Sequence, residues 1–395
     1  MSPRVLFSIC SLALAAGCSL IPAEDGPPKT SDLPKAKAQQ LALGRLHACA
    51  LTTAGSVRCW GYGPGGELGN GVRYQEAERM PAVQVQGLDS GVSYLASGPS
   101  ADFTCAVVSG AIKCWGDGTG GQLGNGRTDF SATPVDVTGI TDATQLAVGT
   151  GHACALVTGG KVRCWGENDD YQLGNGGNAL SKVPVEVAGL EGATQLAAGY
   201  KHTCALVAGG KVACWGGNTD LQCGQAEGIE FPTPTLVPGL SGVVELSAAG
   251  ALTCARTGAG AVSCWGTNRY GQLGDGAGGD PFDERAQPAA VSGLNAGVTA
   301  ISTAALFGVA LVDGAVRTWG SFREQQLEPV AGPALPAPAT AIDVGQSSDW
   351  GYACAITERG TYCWGDNSAG TVGYYYDSDD GLYYKDKPQP ISSLD

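Results

Sequence analysis

The tripeptide Cys-Trp-Gly recurs about every 50 residues, and this repeat constrains the fold more than any other feature of the chain. Six copies lie at residues 59–61, 114–116, 164–166, 214–216, 264–266 and 363–365. A seventh copy, Thr318-Trp319-Gly320, lacks the cysteine. A period of this length, built from short β segments, is typical of propellers and β-solenoids, whose repeats bury their apolar faces against one another. The sequence therefore predicts an all-β protein of seven repeats.

The fourth repeat shows the strands of one unit most clearly. VPVEVAGL (183–190) and TQLAAG (194–199) read as its first two strands. HTCALV (202–207) and KVACWG (211–216) read as a hairpin, and GNTDLQCGQ follows as a loop. We therefore predict a seven-bladed β-propeller of four-stranded blades over residues 39–395.

The two ends of the repeat region predict how the ring closes. The first repeat begins at LALGRLHACAL, with no PVxVxGL strand before it. The chain ends with Pro390-Ile391-Ser392-Ser393-Leu394, which reads as that missing strand. We predict that the C-terminal strand completes blade one and closes the ring, since closure removes an open sheet edge.

The N-terminus predicts export. Arg4 precedes an apolar run over residues 5–16 that is too short to span a bilayer. The run ends in Ala15-Ala16-Gly17-Cys18, which resembles a bacterial lipobox with Cys18 as the lipidated residue. An ordinary secretory signal is the alternative, and both readings place the chain where disulfides persist. We predict a signal peptide (1–17), a Pro- and charge-rich tether (18–38) and a lipid anchor in the outer membrane or at the cell surface.

The repeat GxxHxCAL…GxVxCWGxN…QLGNG resembles that of the regulator-of-chromosome-condensation (RCC1-like) propeller family, over about residues 41–395. The resemblance implies a rigid propeller that presents loops to a protein partner. Some members of the family are exchange factors for a small nuclear GTPase, and some secreted bacterial members inhibit β-lactamases. We do not expect the nuclear activity, because this chain is acidic and carries an export signal.

Twelve of the 15 cysteines form pairs nine or ten residues apart. In blade two the turn Ser109-Gly110 brings Cys105 opposite Cys114, and opposed residues on antiparallel strands are within disulfide range. In blade six Val309 and Thr318 replace both cysteines together, as a pairwise bond predicts. Redox and zinc sites are not favoured, since their short Cys spacings do not occur. The predicted disulfides are Cys49–Cys59, Cys105–Cys114, Cys154–Cys164, Cys204–Cys214, Cys254–Cys264 and Cys354–Cys363.

Other repeat residues have competing interpretations. His47, His152 and His202 each precede a first cysteine by two positions, and either bind a metal together or bond within the repeat; we favour the second. The seven repeat Trp residues either stack a ligand or pack blade on blade, and we favour packing. Cys223 stands where other repeats have Leu and is predicted to be an unpaired, buried apolar residue.

YYYDSDDGLYYKD (374–386) is unlike every other repeat tail. Three interpretations are open for this segment: a solvated loop, a calcium site or a contact surface. The spacing of its acidic residues differs from that of the EF-hand, which argues against the calcium site. Tyr clusters favour protein recognition because they bury much area at low entropic cost. The irregular segment 274–287 is a weaker candidate. The predicted contact residues are Tyr374, Tyr375, Tyr376, Asp377, Asp379 and Asp380.

Composition excludes some partners. The formal net charge is −14 and the pI about 4.6, which argues against nucleic acid and against membrane contact other than the lipid anchor. We predict a monomeric, non-enzymatic cell-envelope scaffold for an unknown protein partner, with no catalytic residue, cofactor or metal. The alternatives are a propeller enzyme, a lyase or hydrolase with a site on one face, and an inhibitor of a secreted enzyme.

Overall fold

The structure is a computed structural model and describes residues 35–74, 79–347, 350–373 and 384–394. Within these ranges 28 strands form seven antiparallel sheets of four, each with its strands in sequence order. The inner strands of neighbouring sheets contact one another, and β1 contacts β25, so the sheets form a closed ring. The predicted seven-bladed propeller is confirmed. In the part of the chain described here, no helix has the length and apolar character needed to cross a membrane.

Each blade contributes four consecutive strands, and a 3₁₀ turn (Ser392–Leu394) follows the last one. The strands are, blade by blade, β1 (Ala38–Leu43), β2 (His47–Thr52), β3 (Val57–Tyr62) and β4 (Arg79–Gln84); β5 (Val92–Ser97), β6 (Phe103–Val108), β7 (Ala111–Gly116) and β8 (Ser131–Asp136); β9 (Ala143–Val148), β10 (His152–Val157), β11 (Lys161–Gly166) and β12 (Ser181–Glu186); β13 (Gln195–Ala198), β14 (His202–Val207), β15 (Lys211–Gly217) and β16 (Glu230–Leu236); β17 (Val243–Ala249), β18 (Leu252–Thr257), β19 (Val262–Thr267) and β20 (Glu284–Ala290); β21 (Val298–Thr303), β22 (Phe307–Val312), β23 (Ala315–Ser321) and β24 (Gln325–Ala331); β25 (Ala339–Gln346), β26 (Gly351–Thr357), β27 (Gly360–Asp366) and β28 (Tyr384–Pro390).

Blade three shows why the sequence folds this way. Strand β10 is buried along its whole length, whereas no residue of the outer strand β12 is fully buried, because the inner strands lie between neighbouring blades. Gly159 and Gly160 join β10 to β11 with φ of 85° and 74°, a backbone conformation that glycine adopts without steric cost. Trp165 at the end of β11 packs in the core between blades two and three.

Two faces follow from this order of strands. The loop face carries the turns between first and second strands, such as 44–46, and the loops between third and fourth strands. The hairpin face carries the tight turns between second and third strands, such as 53–56.

The predicted order of strands within a blade is wrong by one strand. VPVEVAGL supplies the fourth strand of blade three, because Val185 on β12 pairs with Cys164 on β11. Backbone bonds then hold the turn after β12 on the same blade, from Val187 N to Val162 O (3.0 Å) and from Ala193 N to Gly160 O (3.0 Å). Because the pattern of strands repeats around the ring, the sequence is compatible with several choices for the first strand of a blade. Only these strand pairings show where a blade begins.

The predicted closure of blade one by the C-terminal strand is also wrong. β28 pairs with β27, with Gln389 opposite Cys363, and is the fourth strand of blade seven. No strand is missing from blade one, because β1 precedes the first conserved hairpin and begins at Ala38, the last residue of the predicted tether. Blades one and seven are joined instead by side chains, including Trp60 Nε1 donating to Thr371 O (2.7 Å).

The cysteines pair as the sequence predicts. Six disulfides lie in the described part of the chain, each across one hairpin with a Cα–Cα distance of 4.0–4.1 Å. Val309 lies opposite Thr318 in the same register in blade six. Cys223 is buried and unpaired, and its Sγ lies 3.3 Å from Gly217 O. Burial raises the pKa of this thiol, which therefore stays protonated.

Candidate protein-interaction site

The repeat Trp residues form packing contacts rather than a ligand-stacking ring. All seven are almost completely buried. Six of them donate their indole N–H to a backbone carbonyl on the loop of the preceding blade at 2.7–2.9 Å, as Trp165 does to Gln122 O. Each such bond fastens one blade to the next, so these residues are committed to the ring.

The three His residues are also contacts between blades. Their Nε2 atoms lie 2.7–2.9 Å from a Thr hydroxyl of the following blade, in the pairs His47–Thr104, His152–Thr203 and His202–Thr253. Thr203 and Thr253 donate their own hydrogen to a backbone carbonyl, so the His of each of these two pairs must donate from Nε2. Among the described residues, no group of three His, Cys, Asp or Glu side chains could hold a metal.

Burial determines the charge of these imidazoles. It lowers the pKa of His47 to about 3, of His152 to about 4 and of His202 to about 3, so all three are neutral near pH 7. The sequence contains a pattern that indicates these His–Thr contacts, although it was not among the predictions. The blade after each His carries Thr at the next position of the repeat, whereas the blades after Phe103 and Phe307 carry Ala153 and Ala353 there.

Glu67 is a buried carboxyl that sequence reasoning did not single out. It occupies the position of Gln122 in the QLG loop, and both side chains accept the backbone N–H two residues earlier, Glu67 Oε2 from Gly65 N at 2.9 Å. Burial raises the pKa of Glu67 to about 7. Because Glu67 makes the same loop contact as the glutamine of other blades, its role is to shape this loop.

Blade six departs from the repeat on the loop face. Its third and fourth strands, β23 and β24, are joined by only three residues, 322–324, in place of the long QLGNG loop. The next blade therefore lacks its usual carbonyl partner, and Trp364 Nε1 is buried with no acceptor among the described residues. Phe322 occupies the shortened connection and packs against the core cluster that contains Trp364.

Three aromatic side chains meet beside this shortened connection, and we call Phe322, Trp350 and Tyr384 the aromatic patch. Tyr384 makes edge contacts with both of the others, with ring centroids 6.3 Å from Phe322 and 5.8 Å from Trp350. Phe322 rests in turn on the buried Phe307, at 4.7 Å. Trp350 remains 47% exposed, so the patch presents a large aromatic surface on a fixed support.

Charged groups frame the aromatic patch. The Arg323 guanidinium lies 5.2 Å from the Tyr384 ring centroid and forms an ion pair with Asp386. Burial, with the nearby Asp386 charge, raises the pKa of the Tyr384 hydroxyl, which stays neutral. A protonated phenol and a guanidinium both donate hydrogen bonds, so the patch combines apolar area with donors at its edge.

The structure relates this patch to the predicted contact loop. Tyr374, Tyr375, Tyr376, Asp377, Asp379 and Asp380 lie outside the described residues. The end of the same sequence segment, Tyr384 to Asp386, begins β28 and is part of the patch or its frame. The six predicted contact residues therefore stay a prediction, and the sequence did not indicate Phe322 or Trp350 beside them.

The second irregular segment, 274–287, is bonded to itself and its neighbours. Arg285 forms ion pairs with Asp275 and Asp283. Asn268 Nδ2 donates to the Asp283 carboxylate at 3.0 Å, which ties the segment to its own blade. Its acidic groups are thus already partnered, and Phe282, which is 85% exposed, is the main feature it leaves for a contact.

Comparison with known proteins places this geometry in a family. A family model described as RCC1-like domain matches residues 12–332. RUG3, a mitochondrial RCC1 domain-containing protein of Arabidopsis thaliana, is 34% identical over 130 residues, which cover 30% of this chain and 28% of RUG3. The chain thus spans less than a third of that relative's length.

Two solved structures are similar over most of their length. Human WBSCR16 has a TM-score of 0.71 at 20% identity, over 85% of this chain and 93% of that one. Prp20p of Saccharomyces cerevisiae has a TM-score of 0.72 at 19% identity, over 92% of this chain and 89% of that one. Its structure was described together with its binding properties to Gsp1p and histones. At these identities the likeness shows the fold alone.

Proposed function

Because this chain belongs to the RCC1-like domain family, we propose that it is a non-enzymatic protein-interaction scaffold of the cell envelope, exported and anchored through a lipid on Cys18. The family fold supports a role in protein interaction in general, and Prp20p is a similar propeller that binds proteins. The export signal and the lipobox-like Ala15-Ala16-Gly17-Cys18 support the location. The six cross-strand disulfides fit an oxidising compartment.

The aromatic patch is the observation that carries this proposal. The repeat residues are committed to packing, cross-strand bonds and turns, whereas Trp350 is large, aromatic and half exposed. Trp and Tyr dominate binding energy at protein interfaces because they bury much apolar area and still offer a polar edge. The acidic residues that precede Tyr384 in the sequence favour a partner with a basic surface. We therefore place the partner on the loop face at blades six and seven.

A photo-crosslinking amino acid in place of Trp350 would identify the partner in the cell envelope. The purified partner is then titrated against the parent chain, Trp350→Ala and Phe282→Ala. Both variants remove an exposed aromatic ring from the loop face, so they are a matched pair. We expect Trp350→Ala to weaken binding by about tenfold or more, since losing an aromatic anchor costs ~2 kcal/mol, and Phe282→Ala to have little effect.

Two results would contradict the proposal. Equal affinity of Trp350→Ala and the parent would remove the aromatic patch from the interface. A loss confined to Phe282→Ala would move the contact to segment 274–287. Replacing Tyr374, Tyr375 and Tyr376 by Ser extends the test to the neighbouring loop, where we expect a further loss of affinity without a change in thermal stability.

A further inference from the structure

The seven inner strands enclose a well of about 340 Å³ on the propeller axis. Seven equivalent positions, one on each inner strand, form a ring in its wall, and the residue type at these positions changes around the axis. Blades one to four contribute alanines, and blades five to seven contribute polar side chains. The members of this ring are, in blade order, Ala42, Ala96, Ala147, Ala197, Ser247, Ser302 and Asp343. At this level the wall therefore has an apolar side and a polar side, while Gln40, Tyr94 and Gln195 line the well at another level.

The polar side is an ordered set of hydrogen bonds around one carboxylate. Ser302 Oγ donates to Asp343 Oδ1 at 2.9 Å, and the backbone N–H of Leu43 donates to Oδ2 at 3.0 Å. Ser247 and Thr303 share a hydroxyl contact of 2.9 Å on the same wall. Asp343 is far from the outer surface and still keeps accessible area, which opens into the well that it lines.

The Asp343 carboxylate has no counter-charge in the well. The other carboxylate of the lining, Glu245, is neutralised by Arg256 at 2.5 Å. No Lys, Arg or His is among the described residues of the wall. A carboxylate away from bulk water is costly unless a cation or several donors meet it, and each carboxylate oxygen can accept more than one hydrogen bond. In keeping with this, burial raises the pKa of Asp343 to about 6.

The two ends of the well differ. At the loop face Pro99 lies across the axis, and its carbonyl accepts a bond from Gln346 N of blade seven at 2.8 Å. At the hairpin face Gln39, the second residue of β1, lines the well and is exposed. A ligand would thus enter from the hairpin face, opposite the aromatic patch, so this site is independent of the proposed protein contact.

We propose that the axial well binds a small organic primary ammonium ion, with the charged nitrogen on the Asp343 carboxylate and the hydrocarbon part against the alanines of blades one to four. An ammonium has three donors, which the carboxylate and the Ser302 and Ser247 hydroxyl oxygens can accept. One unpaired carboxylate balances one positive charge. Divalent cations favour several carboxylate or carbonyl ligands, and the other carboxylate of this wall, Glu245, is already paired with Arg256.

The test uses n-butylammonium as the probe, n-butanol as its neutral counterpart, and NMR titration of the full mature chain. We expect saturable binding of n-butylammonium that shifts the signals of Leu43 and of the alanine methyl groups in the well, and no binding of n-butanol. Asp343→Asn keeps an oxygen for Leu43 N and removes the charge, and should weaken binding by about tenfold or more. Asp142→Asn, on an exposed residue, is the control for the same change in net charge.

The proposal is overturned if n-butylammonium causes no saturable shift, if the shifts appear only on the outer surface, or if Asp343→Asn binds as tightly as the parent. It is also overturned if Asp142→Asn loses as much affinity as Asp343→Asn, since the effect would then reflect net charge. If Asp343→Asn does not fold, the location of the shifts in the parent chain decides the question.

Discussion

Introducing a disulfide into blade six is a direct test of how the hairpin register determines the cysteine bonds. Val309 and Thr318 face each other on β22 and β23, at the positions that hold a disulfide in the other six blades. Both are buried or nearly so, and their separation along the chain equals that of Cys105 and Cys114. We expect Val309→Cys with Thr318→Cys to form a seventh bond without moving the backbone.

The expected gain follows from the size of the closed loop. Ten residues from 309 to 318 give a loss of chain entropy of about 9 cal/mol/K in the unfolded state, or ~2.7 kcal/mol at 25 °C. Removing a buried methyl group at Val309, which packs in the core between blades six and seven, costs about 1 kcal/mol. The free energy of unfolding should therefore rise by about 1.5–2 kcal/mol.

Urea unfolding of the parent, both single variants and the double variant measures this gain, and mass analysis of the non-reduced protein shows whether the bond forms. The double variant should exceed the sum of the singles by ~2.7 kcal/mol. Cys154→Val with Cys164→Thr copies the blade-six pair into blade three and should lose a similar amount. Free thiols at 309 and 318, or a coupling energy near zero, would refute the argument from register.

Three further predictions concern protonation, thiol burial and anchoring. His202 is neutral in the folded state because burial lowers its pKa to about 3, so stability is fully present above about pH 6.5 and is lost as pH falls towards 3. The double variant His202→Phe with Thr253→Ala copies the residue types that Phe103 and Ala153 have at this contact. It should reduce that loss of stability by up to about 2 kcal/mol at about pH 5. An unchanged pH dependence of urea unfolding would contradict this prediction. Cys223 should resist alkylation until the chain unfolds, whereas rapid modification of the native protein would show an open thiol. Cys18→Ala should move the protein from the membrane fraction to the soluble fraction, and retention in membranes would indicate another anchor.

The sequence alone determined the features that depend on neighbours along the chain. The period of the Cys-Trp-Gly repeat was enough to predict seven four-stranded blades, because each blade is one contiguous unit. Hairpin turns of two or three residues set which residues face each other, so the pair Cys105 and Cys114 could be predicted without coordinates. The burial of the repeat Trp residues and of Cys223 follows from the same regularity.

Only the tertiary structure decided which contacts join distant parts of the chain. The assignment of the fourth strand to its blade, the closure of the ring and the pairing of His202 with Thr253 all depend on neighbours in space rather than in sequence. The aromatic patch is the clearest case, since Phe322 lies 62 residues from Tyr384 along the chain, and their rings are 6.3 Å apart. A local pattern specifies a strand and its turn, but the packing of one blade on the next sets which side chains meet between blades. Such contacts gain their free energy only when the two neighbouring blades have folded and packed together.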